Sequence, residues 1–215
     1  LTLTLTPAEP TTVDDLVVTV EADVEVDGFA LSWFLDDVEQ VDLADLDTVP
    51  SALTSRADIW QVEVIPILGT NTLFGSRERA TVVIRNSAPS MESVSLTPET
   101  PSESVPAQAV PAGLVDPDPE DVPFVRYQWL VSGVPVPGFT GIELSGLYFD
   151  RGQELRVIAT PTDGADDGES VESASVTVVN TPPAALSVDL YPTAPTEGST
   201  ITAALVGWVD PDPAD

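Results

Sequence analysis

The chain contains no cysteine, no histidine and no lysine, and its seven basic residues are all arginine. Lack of cysteine excludes disulfide staples and thiolate metal ligands. Lack of histidine and lysine removes the commonest general base and the Schiff-base amine, and the thiol nucleophile goes with cysteine. Basic charge is scarce altogether: seven arginines face 36 acidic residues, for a formal net charge of −29. Phosphate binding needs a positive footprint, so nucleic acid is excluded as a partner. Long apolar runs are missing too, which leaves no membrane span in the sequence and no basic-then-apolar leader at its start. Gly-rich phosphate loops, Asn-x-Ser/Thr sequons and Arg-Gly-Asp triplets do not occur. Paired carboxylates alone are a poor argument for glycoside hydrolysis when acids are this abundant. The chain is therefore expected not to be an enzyme.

What is present points to folded β-structure. A hydrophobic content of 42% and a mean hydropathy of +0.13 are too high for a disordered acidic tail. The sequence also repeats itself. Asn86-Ser-Ala-Pro89 returns as Asn180-Thr-Pro-Pro183, and Asp116-Pro-Asp-Pro-Glu-Asp121 returns as Asp210-Pro-Asp-Pro-Ala-Asp215. Both pairs are offset by 94 residues (180 − 86, 210 − 116), as are Pro98 and Pro192. A fixed period of this size marks an array of similar units. The expected boundaries are 1–86 and 87–180 for two complete copies and 181–215 for a partial third.

Each copy reads as short alternating strands. Leu1 to Thr6 alternates strictly; Leu16, Val18, Val20 and Ala22 share one face; Phe29, Leu31, Trp33 and Leu35 form a stripe. Trp60, Val62 and Val64, then Ala80, Val82 and Ile84, complete the first copy. Turn-rich segments fall at 7–15, 23–28 and 67–76. In the second copy Val94 and Leu96 open, Val125, Tyr127, Trp129 and Val131 give the tryptophan strand, and Leu155, Val157 and Ala159 follow. Ala174, Val176 and Val178 are expected to close it. Pro106 and Pro111 place its second strand at an edge or beside a bulge. Trp60 lies on an inward stripe and is read as core rather than as a sugar-stacking surface, and Arg77, Glu78 and Arg79 as a solvated strand start. No segment keeps a helical period. The fold class is thus all-β: tandem immunoglobulin-like antiparallel sandwiches, two complete and one partial, each with a tryptophan on its third strand. Residues 184–215 supply only two strands, which cannot bury a face alone; completion by further sequence or by another chain is expected.

The strands Leu31-Ser-Trp33 and Tyr127-Gln-Trp129 follow acidic loops, and the terminal strands run into Asn86 or Asn180 and then proline. This pattern resembles the tandem Ig-like repeats, of the polycystic-kidney-disease (PKD) or cadherin-like kind, of bacterial and archaeal surface proteins. Asp36-Asp37 and Ser132-Gly133 stand where PKD repeats have Gly-Asp-Gly, so the generic Ig-like label is preferred. The resemblance implies an extracellular or cell-surface location and a structural or adhesive role.

The acidic loops are the candidate sites. Asp116, Asp118, Glu120 and Asp121 lie before the third strand of the second copy, and Asp163, Asp166 and Asp167 before its last. In an Ig-type sandwich those loops share one end. Hard oxygen ligands on such loops suit Ca²⁺, although Asp, Gly and Pro are also ordinary turn formers. Asp210, Asp212 and Asp215 are the same loop one copy later. Glu21 to Asp27 and Leu68 to Gly75 are the first copy's counterparts; the second lacks a carboxylate, so no full site is expected there. The leading functional expectation is a non-catalytic rod or surface filament whose partners are neighbouring repeats and copies of itself in a filament or sheath, with calcium as stiffener. The alternative is an accessory module, polysaccharide-binding or spacer, of a larger secreted enzyme.

Overall fold

The computed structural model describes residues 1–212. By compactness the chain divides into two units. Unit 1 comprises Leu1–Pro89 together with Val115–Pro123 and Thr162–Asp167; unit 2 comprises Ser90–Leu114, Phe124–Pro161 and the chain from Gly168 onward. The two acidic loops of the second sequence copy therefore belong, by their contacts, to unit 1.

Unit 1 is built from β1 (Thr2–Thr6), β2 (Leu16–Glu21), β3 (Gly28–Leu35), β4 (Val38–Glu39), β5 (Thr48–Val49), β6 (Ile59–Leu68), β7 (Asn71–Thr72) and β8 (Glu78–Val83). One sheet has the order β1-β2-β5; the other has β4-β3-β6-β7, with β8 also paired to β6. The period-2 alternation decides which residues face inward. Leu5, Leu16, Val18 and Val49 from the first sheet meet Trp33, Trp60, Val62, Val64 and Val82 from the second in one buried cluster. That is a sandwich, with side chains of both inner faces filling the gap. Trp33 and Trp60 pack edge to face, ring centroids 6.3 Å apart. Trp33 Nε1 donates to the Leu46 carbonyl at 2.9 Å, while Trp60 Nε1 is buried without a partner. Trp60 is 1% exposed, which settles it as core. The turn-rich segment 67–76 contains the end of β6, the short strand β7 and a 3-10 turn. Arg77 and Arg79 are not merely solvated: both pair with Glu63 on β6, at 3.6 and 2.5 Å. Ala22 lies past the end of β2 and is exposed.

Unit 2 contains β9 (Ser93–Thr97), β10 (Ala107–Ala112), β11 (Phe124–Val131), β12 (Val134–Pro135), β13 (Glu143–Leu144), β14 (Glu154–Thr162), β15 (Val171–Glu172) and β16 (Val176–Thr177). Its sheets have the orders β13-β10-β9 and β12-β11-β14-β15, with β16 also on β14. The strand plan is that of unit 1, and the all-β sandwich class follows directly from it. Leu96, Ala109, Tyr127, Trp129, Leu155 and Val157 lie in its core. Trp129 Nε1 donates to the Gly141 carbonyl at 3.0 Å.

Two expectations for this unit need correction. Strand β10 is central at its start, where Ala107 and Gln108 pair with β13, and one-sided only beyond it, where Pro111 faces Val94 of β9. Proline's missing donor is tolerated there because β13 does not reach that far. The closing strand is broken rather than continuous. Ser173, buried at 6%, sits between β15 and β16, and its hydroxyl accepts the Val157 N–H at 3.0 Å while its own N–H reaches the Val157 carbonyl at 2.9 Å. The side chain replaces one ladder acceptor, so Ala174 turns outward and is exposed.

After these come β17 (Ser187–Tyr191) and β18 (Thr202–Val206), a two-stranded antiparallel sheet. Val188, Leu190 and Leu205 on it are more than half exposed, as is Trp208. The peptide bonds before Pro7, Pro98 and Pro192 are all cis, at the end of the opening strand of each copy.

Candidate functional site

The loop Asp116-Pro-Asp-Pro-Glu-Asp121 is shaped by its own residues. Asp116 Oδ1 accepts the Asp118 N–H at 2.9 Å, a local turn that competes with strand pairing. Asp118 then opens a β-turn with Pro119 at its second position, closed by the Asp121 N–H on the Asp118 carbonyl at 3.0 Å. The result turns Asp118 inward. It is 3% exposed, and its Oδ2 accepts the backbone N–H of Ser87 at 2.9 Å. One carboxylate oxygen from each of Asp116, Asp118 and Asp121 falls within 4.8 Å of the others. Asp116 Oδ2 is buried and has no hydrogen-bond partner.

The second acidic loop serves a different group. Asp163 Oδ1 accepts the N–H groups of Ala165 and Asp166 at 2.6 and 2.8 Å. Its Oδ2 accepts from Asn86 Nδ2 at 2.7 Å, and Asp166 Oδ2 accepts from the same amide at 2.8 Å. The Asn86 amide and then the Asp166 N–H hold the Asp163 carboxyl below its ordinary range. Asn86 Oδ1 in turn accepts from Arg56 at 2.8 Å, and Arg56 also forms an ion pair with Asp121. Thr12 and Ser87 share a hydroxyl–hydroxyl bond of 2.7 Å. Asn86 and Ser87, where one sequence copy passes into the next, are thus fixed by side chain and backbone together.

Of the residues singled out by sequence, Asp116, Asp118 and Asp121 come together, whereas Asp163 and Asp166 are committed to Asn86. Glu120 is exposed and lines an open recess beside Arg56, Thr12 and Ser51. Asp167 is exposed and bridges to Thr162 in the hairpin.

Unit 2 contains the same arrangement one copy later. Arg151 donates to Asn180 Oδ1 at 2.7 Å, the Thr181 N–H donates to Asp212 Oδ2 at 2.8 Å, and the Asp212 N–H donates to Asp210 Oδ1 at 3.2 Å. Asp215 lies outside the described residues. Sequence reading missed Arg56, Arg151, Ser87 and Thr181. The signal for the arginines was available: they are two of only seven basic residues and stand 95 positions apart (151 − 56), close to the repeat offset.

The fold and this network define a tandem β-sandwich protein with a buried-carboxylate clasp on the segment that joins its copies. No protein-family model matches the chain, and no curated protein is similar to it in sequence. Among solved structures it is similar to the fibronectin(III)-like modules of Clostridium thermocellum CbhA, at 16% identity and a TM-score of 0.32, covering 83% of this chain and 94% of that one. A two-domain fibronectin type III segment of chicken tenascin gives 12% identity and a TM-score of 0.46 over 82% and 98%. The Bacteroides ovatus mixed-linkage glucan utilization protein SGBP-B, solved with a mixed-linkage heptasaccharide, gives 14% and 0.25 over 83% and 47%. All three superpositions are partial, and the architecture rests on the sheets and cores described above. Among the described residues, no helix is long and apolar enough to cross a membrane.

Proposed function

We propose that the chain is a non-catalytic structural repeat protein of the extracellular space or cell surface, whose sandwiches act as spacers in a rod or filament. One observation carries this reading. The same three contacts, arginine to asparagine, buried aspartate to the following N–H, and aspartate to aspartate N–H, recur in both units on the segment between copies. Burying a carboxylate is costly unless it is well paired. Here Asp118 and Asp212, the buried carboxylates of the two clasps, are spent on fixing backbone.

Calcium belongs to this reading. Asp116, Asp118 and Asp121 form an all-oxygen donor set, and the orphaned Asp116 Oδ2 is an acceptor awaiting a positive partner. Hard oxygens without nitrogen or sulfur suit Ca²⁺. Arg56 neutralises one carboxylate of a group that also includes Asp163 and Asp166 nearby on Asn86, so the net charge there stays negative. Bound calcium would tie the loop 116–121 to Ser87 through Asp118.

The accessory-module reading has one observation in its favour. Phe139 and Tyr148 pack 4.1 Å apart beside Leu147, which is 91% exposed, and a recess there includes Glu143 and Ser145. The rings are tilted by 55°, which offers no flat stacking platform for a sugar. Small-angle scattering in calcium and in chelator, with affinity electrophoresis in soluble glucan and xylan, separates the readings. A narrower distribution of molecular dimensions in calcium, without retardation in either gel, is expected. Retardation that Tyr148→Ala abolishes would replace the spacer reading with the accessory one.

A further inference from the structure

The clasp of unit 1 is made by two sequence copies. Arg56 and Asn86 come from the first, whereas Asp118, Asp121, Asp163 and Asp166 come from loops of the second. Those loops, Val115–Pro123 and Thr162–Asp167, belong to unit 1 by compactness, while the chain on either side of them belongs to unit 2. The first loop lies between β10 and β11, and the second turns from the end of β14 toward β15.

Chain connectivity turns this division into energetics. While β10, β11, β14 and β15 are folded, both ends of each loop are held, and the carboxylates reach Asn86 and Ser87 without further ordering. Unfolding of unit 2 releases those ends, and keeping the loops in place then costs the conformational freedom of the released chain. The two hydrogen bonds from Asn86 Nδ2, the Ser87 N–H on Asp118 and the Arg56–Asp121 ion pair are lost together. The first copy offers no equivalent loops. Its hairpin Leu68 to Gly75 has no carboxylate, and Asp27 is occupied inside unit 1, where its Oδ2 accepts the Gly69 N–H at 2.5 Å. The carboxylates of the clasp all come from the copy that follows Asn86.

We infer that loops 115–123 and 162–167 are a docking element whose partner is the end of the preceding copy, and that they couple the folding of the two units. This coupling deepens the spacer reading but needs no metal, so it is tested in chelator. A coupling free energy is reciprocal. Losing a clasp contact therefore lowers the cost of opening both units, including strands that touch nothing in the clasp.

Native-state hydrogen exchange of the whole chain, read by mass spectrometry on peptides from β6 in unit 1 and β11 in unit 2, tests it. The proteins are wild type, Asn86→Ala, Asp163→Ala and the double variant. Neither side chain belongs to a hydrophobic core, and should Asn86→Ala fail to fold, Asp163→Ala carries the test from the other copy. Each single variant should accelerate exchange in both β6 and β11, on the order of tenfold for the loss of hydrogen bonds to a carboxylate. Because both variants cut the same contact, the double variant should accelerate exchange by less than the product of the single effects. Acceleration confined to one unit would overturn the coupling, and effects that multiply would overturn the role of the Asn86–Asp163 contact. Retardation in a glycan gel would replace the spacer reading and leave this result untouched.

Discussion

Asp118 allows the hydrogen bond in the clasp to be separated from its charge. Asp118→Ala removes the acceptor of the Ser87 N–H, a bond of 2.9 Å in a site 3% exposed. The N–H is left buried and unpaired, which costs about 1–3 kcal/mol. The same substitution also removes a negative charge lying near those of Asp116 and Asp121, whose nearest carboxylate oxygens fall within 4.8 Å. At an effective dielectric of about 20, each such contact between unit charges represents repulsion of roughly 3 kcal/mol before Arg56 and solvent reduce it. A single substitution would therefore mix a loss with a relief. Asp118→Asn resolves the mixture, because its amide oxygen can still accept from Ser87 while the charge is gone. In chelator the alanine variant should be less stable than the asparagine variant by about 2 kcal/mol. For a domain near this size that corresponds to roughly 8–16 °C in melting temperature. Differential scanning calorimetry in chelator reads the difference directly. If the two variants melt within about 1 °C of each other, the Ser87 contact contributes nothing and the clasp argument fails. On the calcium site proposed above, both variants should also lose the metal-dependent part of the stability of unit 1, since each removes a charged carboxylate of that site.

The tryptophan pair gives a second comparison. Trp33→Phe leaves a cavity and an unpaired Leu46 carbonyl, whereas Trp60→Phe leaves a cavity but removes an N–H that already lacks a partner. Urea unfolding should therefore show Trp33→Phe costing about 1–2 kcal/mol more than Trp60→Phe, and equal costs would refute the assignment of the two indoles. Asp163 supplies a pH dependence. Its carboxyl is depressed in the folded state, first by the Asn86 amide, so its contribution is present above the unfolded value and is lost as pH falls through the folded one. Wild type should then lose its stability advantage over Asp163→Asn below about pH 4. Parallel melting curves for the two proteins from neutral pH downward would contradict that.

The tryptophan strands, the inward stripes and the two-sheet plan were legible because alternation every second residue directly reports which face is buried. Trp60, Val62 and Val64 are on a stripe in the sequence and are all buried in unit 1. The break in the closing strand of unit 2 was not legible, because alternation sees side-chain polarity and not where a serine hydroxyl substitutes for a carbonyl. Ser173 looks like an ordinary outward residue until Val157 is placed beside it. The acidic loops were found by composition, but composition could not divide them. Asp163 and Asp118 look alike in sequence; one is saturated by turn N–H groups and Asn86, and the other is driven inward by flanking prolines.

The net charge of −29 ties these observations together. A chain so acidic repels itself, and the repulsion is strongest where carboxylates are buried and ions in solution cannot screen them. Ordinary placement would keep every acid on the surface. The chain instead buries Asp118 and its counterpart Asp212, each on the backbone N–H that follows the joining asparagine. The arginines are so few that placing Arg56 and Arg151 on Asn86 and Asn180 commits two of seven cations to this one feature. Arg56 offsets one carboxylate, that of Asp121, among several; on the calcium reading proposed above, cations from solution balance the remainder. Stability should then respond more strongly to divalent ions than to monovalent salt at equal ionic strength, because screening acts on the surface charge while coordination acts on the buried oxygens.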